Sequence, residues 1–279
     1  MGISIGGATR WLKVGPISFQ PSEFLKLGYI LYLAALFAKI PRAASSDEAR
    51  MPHGIRFWNV SPHSIKNLFA LFFVSGFVAV LLFSQPDIGT LGVILAVGFL
   101  LYFISGAPLL YIGAVGALCM LLAIIFAHTA PYRLERITVF LNPQTDPLGI
   151  GYHINQILIA IGSGGINGLG LGMSQQKFGF IPQPIGDSIF SIFAEEFGFI
   201  GALTLITLFL MLVWRGIVIS RRAPDFFSEL LCVGIISWIG VQGFINIGAM
   251  VGLIPLTGIP LPFFSYGGSH LLTELVGIG

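Results

Sequence analysis

The sequence predicts an all-α protein that crosses a membrane several times, and three observations predict it. Of 279 residues, 55% are hydrophobic and only 9% are charged, whereas a soluble domain carries about a quarter charged residues to cover its surface. Mean hydropathy is +0.90. The apolar residues also fall in long runs, without the alternation that the strands of a membrane barrel require. Together these exclude a soluble enzyme, a disordered tail and a disulfide scaffold. The 14 Lys and Arg residues, giving a formal net charge of +2, are spread along the chain, so nothing points to nucleic acid. Cys119 and Cys232 each lie inside an apolar run without metal-ligand spacing and read as small buried hydrophobes.

A spanning helix needs roughly 20 mostly apolar residues. About seven runs approach this: Phe24–Ala38, Asn67–Phe83, Ile88–Ile104, Leu109–Ala127, Ser188–Trp214, Leu230–Ile254 and Phe264–Gly279. Turn chemistry separates them at Gln85-Pro86-Asp87, at Ser105-Gly106-Ala107-Pro108 and along Pro255–Pro262. Orientation follows from the positive-inside rule. Lys39, Arg42, Arg50, Arg56 and Lys66 sit in one loop, and Arg215, Arg221 and Arg222 in another. Alternating spans put both loops on one side, which is then cytoplasmic. The Pro86-Asp87 turn, the long segment from Ala130 to Gly186, the Pro255–Pro262 loop and the N-terminal Met1–Pro21 stretch fall on the outer side. No cleavable signal peptide is visible.

Four stretches carry chemistry. In Gln20-Pro21-Ser22-Glu23-Phe24-Leu25-Lys26, Pro and Glu are ordinary helix-start signals, and Glu23 and Lys26 are spaced for an i,i+3 ion pair. A self-neutralised helix start and a substrate-facing polar cluster both fit. The segment from 130 to 187 is long for a loop without obvious helices. Its Gly162–Gly172 run lacks a P-loop ending and reads as a re-entrant or surface-lying segment with tight turns. Arg133, Arg136 and Lys177 lie in the same segment. In the third stretch, Asp187 stands at the mouth of a long apolar helix, where either an N-cap or a reactive carboxylate could sit. Glu195 and Glu196 follow roughly 12 Å further in by helical rise, and acids at such depth are functional-site candidates. Hydrogen bonding to polar groups on neighbouring helices, such as Gln242 or Asn246, is the alternative for both, and Glu196 fits it better than Glu195. Last, Pro255-Leu256-Thr257-Gly258-Ile259-Pro260-Leu261-Pro262 forbids a helix and shapes the mouth of a cavity, while Ser265 is placed to cap the final helix.

Several of these motifs together resemble the SEDS family of bacterial cell-wall proteins (FtsW, RodA and SpoVE). The resemblance rests on Gly7–Leu12, Gln20–Glu23, Pro86–Thr90, Gly164-Gly165, Asp187–Phe190, Ala194–Gly198, Pro255–Pro262 and Ser265–Ser269, in the family's order along nearly the whole chain. It implies a single transmembrane domain over 1–279, part of a bundle of about ten helices. About three earlier helices and the end of the last are then missing, and 130–187 forms the large extracytoplasmic loop. The implied activity is that of a peptidoglycan glycosyltransferase polymerising lipid II on the outer face of the inner membrane. A class B penicillin-binding protein and other membrane proteins of a division or elongation complex are the implied partners. Gly248-Ala249-Met250, Thr257 and Glu274-Leu275 resemble the FtsW and SpoVE branch more than RodA. One departure stands beside the matched aspartate: the family usually shows Pro-Glu and then His/Gln-Thr before it, whereas this chain has Pro182-Gln183-Pro184-Ile185-Gly186.

Asp187 matches the family's essential aspartate and is the catalytic candidate, as the base toward an acceptor hydroxyl. Positive charge toward a departing pyrophosphate would come from Arg10, Lys26, Arg136 and Lys177. Gln20, Glu23, Asp87, Glu195 and Ser265 complete the expected substrate-binding set. A divalent cation, Mg or Mn, is expected with the pyrophosphate, though no closed ligand set is visible, and no organic cofactor is expected. Two other classes stand beside this one: a lipid or solute transporter built on Glu195, Glu196 and the broken segments, and a non-catalytic scaffold of a division complex.

Overall fold

The computed structural model describes residues 2–5, 8–14, 17–39, 62–85, 87–128, 131–146, 149–177 and 186–279. Most of the basic loop after Lys39, the residue Pro86, the Arg10 side chain and the Pro182–Ile185 run before Asp187 lie outside the described residues. Two compact units are present: residues 1–122 with 215–238, and residues 123–214 with 239–279.

In the first unit an antiparallel three-stranded meander precedes the helices, with β1 (Gly2–Ile5), β2 (Ala8–Val14) and β3 (Ile17–Phe19) in that order. Gly2 pairs with Leu12, and Leu12 with Phe19. The all-α expectation did not include this sheet, because strands of three to seven residues are too short to register as apolar runs. Helix α1 (Pro21–Ala38) opens with Pro in its first turn after an extended Gln20. It is followed by α2 (Pro62–Ser84), α3 (Ile88–Ile104) and α4 (Leu109–His128), which passes into the second unit at Ala123. Tyr29, Ile30, Leu33 and Phe37 line the buried face of α1, and Val93, Ile94, Val97 and Leu101 that of α3; both series follow the three-and-four helical step. By contrast, α2 turns Phe69, Phe73, Phe77 and Val80 outward, with Phe73 80% exposed. A continuous exposed apolar stripe of this kind is suited to lipid and not to water.

The second unit contains α5 (Pro131–Leu141), a short 3₁₀ turn (Pro143–Thr145) and α6 (Ile150–Ser163). Helix α7 (Ile189–Ser220) and the later half of α8 (Phe226–Met250) follow, and α9 (Gly268–Ile278) closes the chain. The segment from 130 to 187 is therefore partly helical. Its helices are half polar: Val139 is buried on α5 beside exposed Glu135 and Arg136, and α6 buries only the Ile154, Ile157 and Ala160 face. No long apolar run marks them. The unit's core gathers Ile157, Phe190, Leu205, Ala249, Met250 and Leu261.

Helices occupy all seven apolar runs. Among the described residues α1, α2, α7 and α8 are long and apolar enough to cross a membrane, whereas α3 and the described part of α4 are shorter. The chain is a multi-pass helical membrane protein.

Candidate active site

Asp187 lies in the turn that leads into α7, and the second unit holds that turn from two directions. Asn246, deep in α8 and 1% exposed, donates from Nδ2 to the Asp187 carbonyl at 2.8 Å and to the Ile259 carbonyl at 2.7 Å. Ser265 Oγ donates to the Gly186 carbonyl at 2.6 Å and accepts from the Leu261 amide at 2.7 Å. The proline-rich link between α8 and α9 is thus tied to the turn at its start and its end. Ser265 does not cap α9, which begins at Gly268; its hydroxyl is used by Gly186 and Leu261 instead. Further along, the Phe263 amide donates to Glu274 Oε2 at 2.9 Å, and Phe263 has φ +62. His270 Nε2 stands 2.9 Å from Glu274 Oε1.

The carboxylate itself is the open end of this arrangement. Asp187 Oδ1 is buried and has no hydrogen-bond partner, and the same is true of Asn246 Oδ1. Both partners of Asn246 Nδ2 are carbonyls, so turning the amide over would break two hydrogen bonds to satisfy one atom. Burial pushes the Asp187 carboxyl above the usual carboxylate range, against lowering by His153, its own backbone N–H, Arg136 and the Ser188 hydroxyl. Helix α7 starts at Ile189, so Ser188 takes the cap position expected for Asp187, its carbonyl accepting from the Ser191 amide and hydroxyl. Opposite the turn, His153 Nε2 on α6 is 3.0 Å from Ser188 Oγ. Arg136 on α5 is exposed and donates to the Leu256 carbonyl at 3.1 Å.

Further into α7, Glu195 and Glu196 have other partners than expected. Glu195 accepts from the Ser174 hydroxyl and, at 3.1 Å, from the Gln175 amide. Glu196 pairs with Lys177 at 2.8 Å, and Lys177 also donates to the Gly172 carbonyl at 2.6 Å. Gln242 donates to the Pro260 carbonyl, and Asn246 is committed as described. The cause is a break in α7 at Gly198, where φ is +67. The glycine-rich run takes up the backbone groups that the break frees. Leu169 and Gly170 amides donate to the Glu195 and Glu196 carbonyls, and Phe199 and Ile200 amides donate to Gly165 and Ile166. A Cβ on Gly168 would strike the Glu196 carbonyl, and one on Gly198 would strike the Gly168 amide. The two chains therefore meet main chain to main chain, and the loop brings Ser174 and Lys177 to the two acids.

The remaining expected residues form a separate group in the first unit. Gln20 Nε2 donates to Ser22 Oγ at 2.9 Å and to Asp87 Oδ2 at 3.4 Å. Asp87 also accepts from the Ser22 and Thr90 hydroxyls and from the Thr90 amide, so that it caps α3. Glu23 and Lys26 form an ion pair at 2.7 Å, each side chain 3% exposed. Lys26 Nζ also stands 4.9 Å from the centre of the Trp238 ring.

Comparison with known proteins fixes what this fold is. The chain matches the FtsW/RodA/SpoVE family, described as cell cycle proteins, over residues 1–279. It belongs to that family. Stage V sporulation protein E of Bacillus subtilis is 40% identical over 279 residues, covering all of this chain and 72% of that protein. The probable peptidoglycan glycosyltransferase FtsW of Idiomarina loihiensis is 39% identical over 282 positions, covering 100% of this chain and 65% of its own length. Among solved structures, a chain from a peptidoglycan synthase complex that coordinates polymerization and crosslinking superposes with a TM-score of 0.72 at 30% identity, covering 99% of this chain and 73% of that one. RodA of Thermus thermophilus superposes at 0.61 with 28% identity, covering 99% and 69%. This FtsW/RodA/SpoVE member therefore sits among relatives named for peptidoglycan glycosyl transfer, on the SpoVE and FtsW side. It spans about two thirds to three quarters of their length.

In this family member the expected site residues divide between the two units. Asp187, Arg136 and Ser265 lie on or beside one turn, and Glu195 and Lys177 lie at the helix break. Gln20, Glu23, Lys26 and Asp87 belong to the first unit. Three residues at the turn, His153, Ser188 and Asn246, were not among the expected site residues. Ser188 lies inside the matched Asp187–Phe190 motif, and Asn246 shows as an amide inside an apolar run, but its partners are the Asp187 and Ile259 carbonyls and not an α7 acid. Among the described residues no three His, Cys, Asp or Glu side chains gather into a metal site. The donors at the turn do not make one by themselves.

Proposed function

We propose that this chain is the membrane core of a peptidoglycan glycosyltransferase of the division or sporulation type, which polymerises lipid II on the outer face of the bacterial inner membrane. The observation that carries the reading is the buried, unpartnered Asp187 Oδ1 in a turn tied down on both sides. A general base must be within hydrogen-bond reach of the proton it takes and must be held still. Asp187 takes the proton from a sugar hydroxyl of the acceptor as that oxygen bonds the anomeric carbon of the donor. The bond from this carbon to the lipid pyrophosphate breaks, and the leaving group carries the electron pair. Arg136 is the exposed cation whose charge reaches Asp187, so it is assigned to the departing pyrophosphate. Lys177 and Lys26 are engaged by Glu196 and Glu23, and their part is to hold the surrounding chain. A Mg or Mn ion would arrive with the pyrophosphate and lend it positive charge. No step of the proton chemistry depends on one. The charge asymmetry of the loops supports an outward-facing Asp187, and a class B penicillin-binding protein is the proposed cross-linking partner.

The test is polymerisation of lipid II by the purified full-length protein in detergent, with no penicillin-binding protein transferase present. Glycan strands of increasing length are the expected product. Transport of lipid II across vesicles without strand formation would replace this reading with the transporter.

A further inference from the structure

Three residues join α6 to the mouth of α7. His153 is seated firmly: Asp146 Oδ1 and Oδ2 accept from the Gly149 and Ile150 amides, at 3.0 and 2.6 Å, and so hold the start of α6. Gly151 backs directly onto the Pro143 carbonyl, where a Cβ would not fit. From the first turn of this anchored helix, the imidazole Nε2 reaches Ser188 Oγ at 3.0 Å. Ser188 is fully buried, directly follows Asp187 in the chain, and its hydroxyl acts against the upward push of burial on the Asp187 carboxyl. The charged groups acting on His153 are Asp187 and, from α5, Arg136. His153 is itself only partly buried, so its ring has a way to exchange a proton with water.

We propose that Ser188 and His153 form a proton relay that empties Asp187 after each sugar is added, with Ser188 as the bridge and His153 as the outlet. The proposal rests on Asp187 being the base. After bond formation Asp187 carries the proton of the acceptor hydroxyl. That proton passes to Ser188 Oγ while the Ser188 proton passes to Nε2 of a neutral His153 protonated at Nδ1. A carboxylate, a hydroxyl and an imidazolium result, and the imidazolium gives its extra proton to water. A polymerase needs this reset once for every bond it makes, and with Oδ1 of Asp187 buried the half-buried His153 ring offers a second way out for the proton. His153 and Ser188 are thus positioning residues for turnover, while substrate binding depends on other groups.

The experiment measures lipid II polymerisation by the full-length protein across pH, with kcat and KM resolved, for His153→Gln, His153→Ala, Ser188→Ala and Ser188→Thr. The expected result is a fall in kcat of about tenfold for His153→Gln and Ser188→Ala with KM unchanged, smaller than the about 10² or more that losing the base itself costs. Ser188→Thr keeps a hydroxyl and should keep most of the activity, and free imidazole should restore part of the rate of His153→Ala. The thermal unfolding midpoint of each variant separates loss of relay from loss of fold. Should His153→Gln not fold, Ser188→Ala and Ser188→Thr decide between them. Unchanged kcat in both His153→Gln and Ser188→Ala overturns the relay. So does an equal loss at every pH with no rescue by imidazole or by Thr. Asp187→Asn, measured alongside, tells the two failures apart: if it is inactive while His153→Gln is normal, only the relay is wrong, and if it is active, the base assignment has failed first.

Discussion

Both units bury carboxylates, and they treat them in opposite ways. In the first unit Glu23 is closed by Lys26 in an ion pair shielded almost entirely from solvent, and Asp87 is spent on the first turn of α3 and its serine and glutamine neighbours. In the second, Asp187 is fixed through its main chain while one of its carboxylate oxygens is left without a partner. A buried acceptor left unmatched costs on the order of 1–3 kcal/mol. In the first arrangement both carboxylates have their oxygens engaged, one by a cation and one by neutral donors. The second keeps an uncommitted acceptor in a turn held through its main chain, the arrangement on which the proposed base role rests.

The contrast can be broken most severely at the open carboxylate. Asp187→Asn keeps the shape and should not lower the unfolding midpoint, yet it should lower polymerisation about 10² to 10⁴-fold, as the loss of a general base does. Near-normal strand synthesis by this variant would make Asp187 a structural residue like Asp87. At the closed pair the expectation reverses. Lys26→Gln leaves Glu23 buried without its cation and should destabilise the full-length protein by about 3–5 kcal/mol, measured as denaturant unfolding in detergent. A double Glu23→Gln, Lys26→Met variant should recover much of that loss.

The pH dependence sharpens the same comparison by a smaller amount. Burial raises the Asp187 carboxyl above the usual range, so its base form appears only at higher pH, and the acid limb of kcat should lie above the ordinary carboxylate value of about 4. The sign for stability agrees. A group whose folded value is raised supports the fold below its unfolded value and loses that support as pH rises through the folded one. Asp187→Asn should therefore flatten this part of the stability profile as well as abolish the limb. An acid limb at the unshifted value would argue that the carboxylate is as well solvated as a surface acid. The smallest effect belongs to the half-open pair at the helix break. With 26% and 11% exposure, Lys177→Gln should cost under about 1 kcal/mol in unfolding and leave strand synthesis within a fewfold of normal.

What could be read from the sequence follows from the range of the interactions. Apolar runs are properties of one segment, so the positions of α1 to α4 and α7 to α9 were legible. So were the position of Asp187 in the turn before α7 and the Glu23–Lys26 pair, from its spacing. The partners of Glu195 were not, because Ser174 reaches it only through the fold of the glycine-rich run. Nor was His153, which meets Ser188 35 positions away and looks in sequence like one more residue of a half-polar stretch. Helices α5 and α6 escaped for a related reason: each has one buried face, and neither has the uninterrupted apolarity that marks a span. The short strands β1 to β3 are defined by their pairing, which no single segment announces.

The break at Gly198 has a consequence for how the chain enters the bilayer. Taken whole, α7 has 32 residues and would be about 48 Å long at 1.5 Å per residue, well beyond the roughly 30 Å hydrocarbon layer. From Phe199 to Ser220 it is about 33 Å, which matches that layer without tilt. The break thus divides a helix longer than the hydrocarbon layer into a part of membrane-spanning length and a short part, and it is the short part that carries Glu195 and Glu196 and leads back to Asp187. Main-chain groups released at such a break cannot be left facing lipid. Because they are taken up by the Gly165–Gly170 run, that loop has to be in place before α7 can settle at its final depth. The register of the helix beyond the break and the position of the Asp187 turn before it are then tied to the same set of backbone contacts.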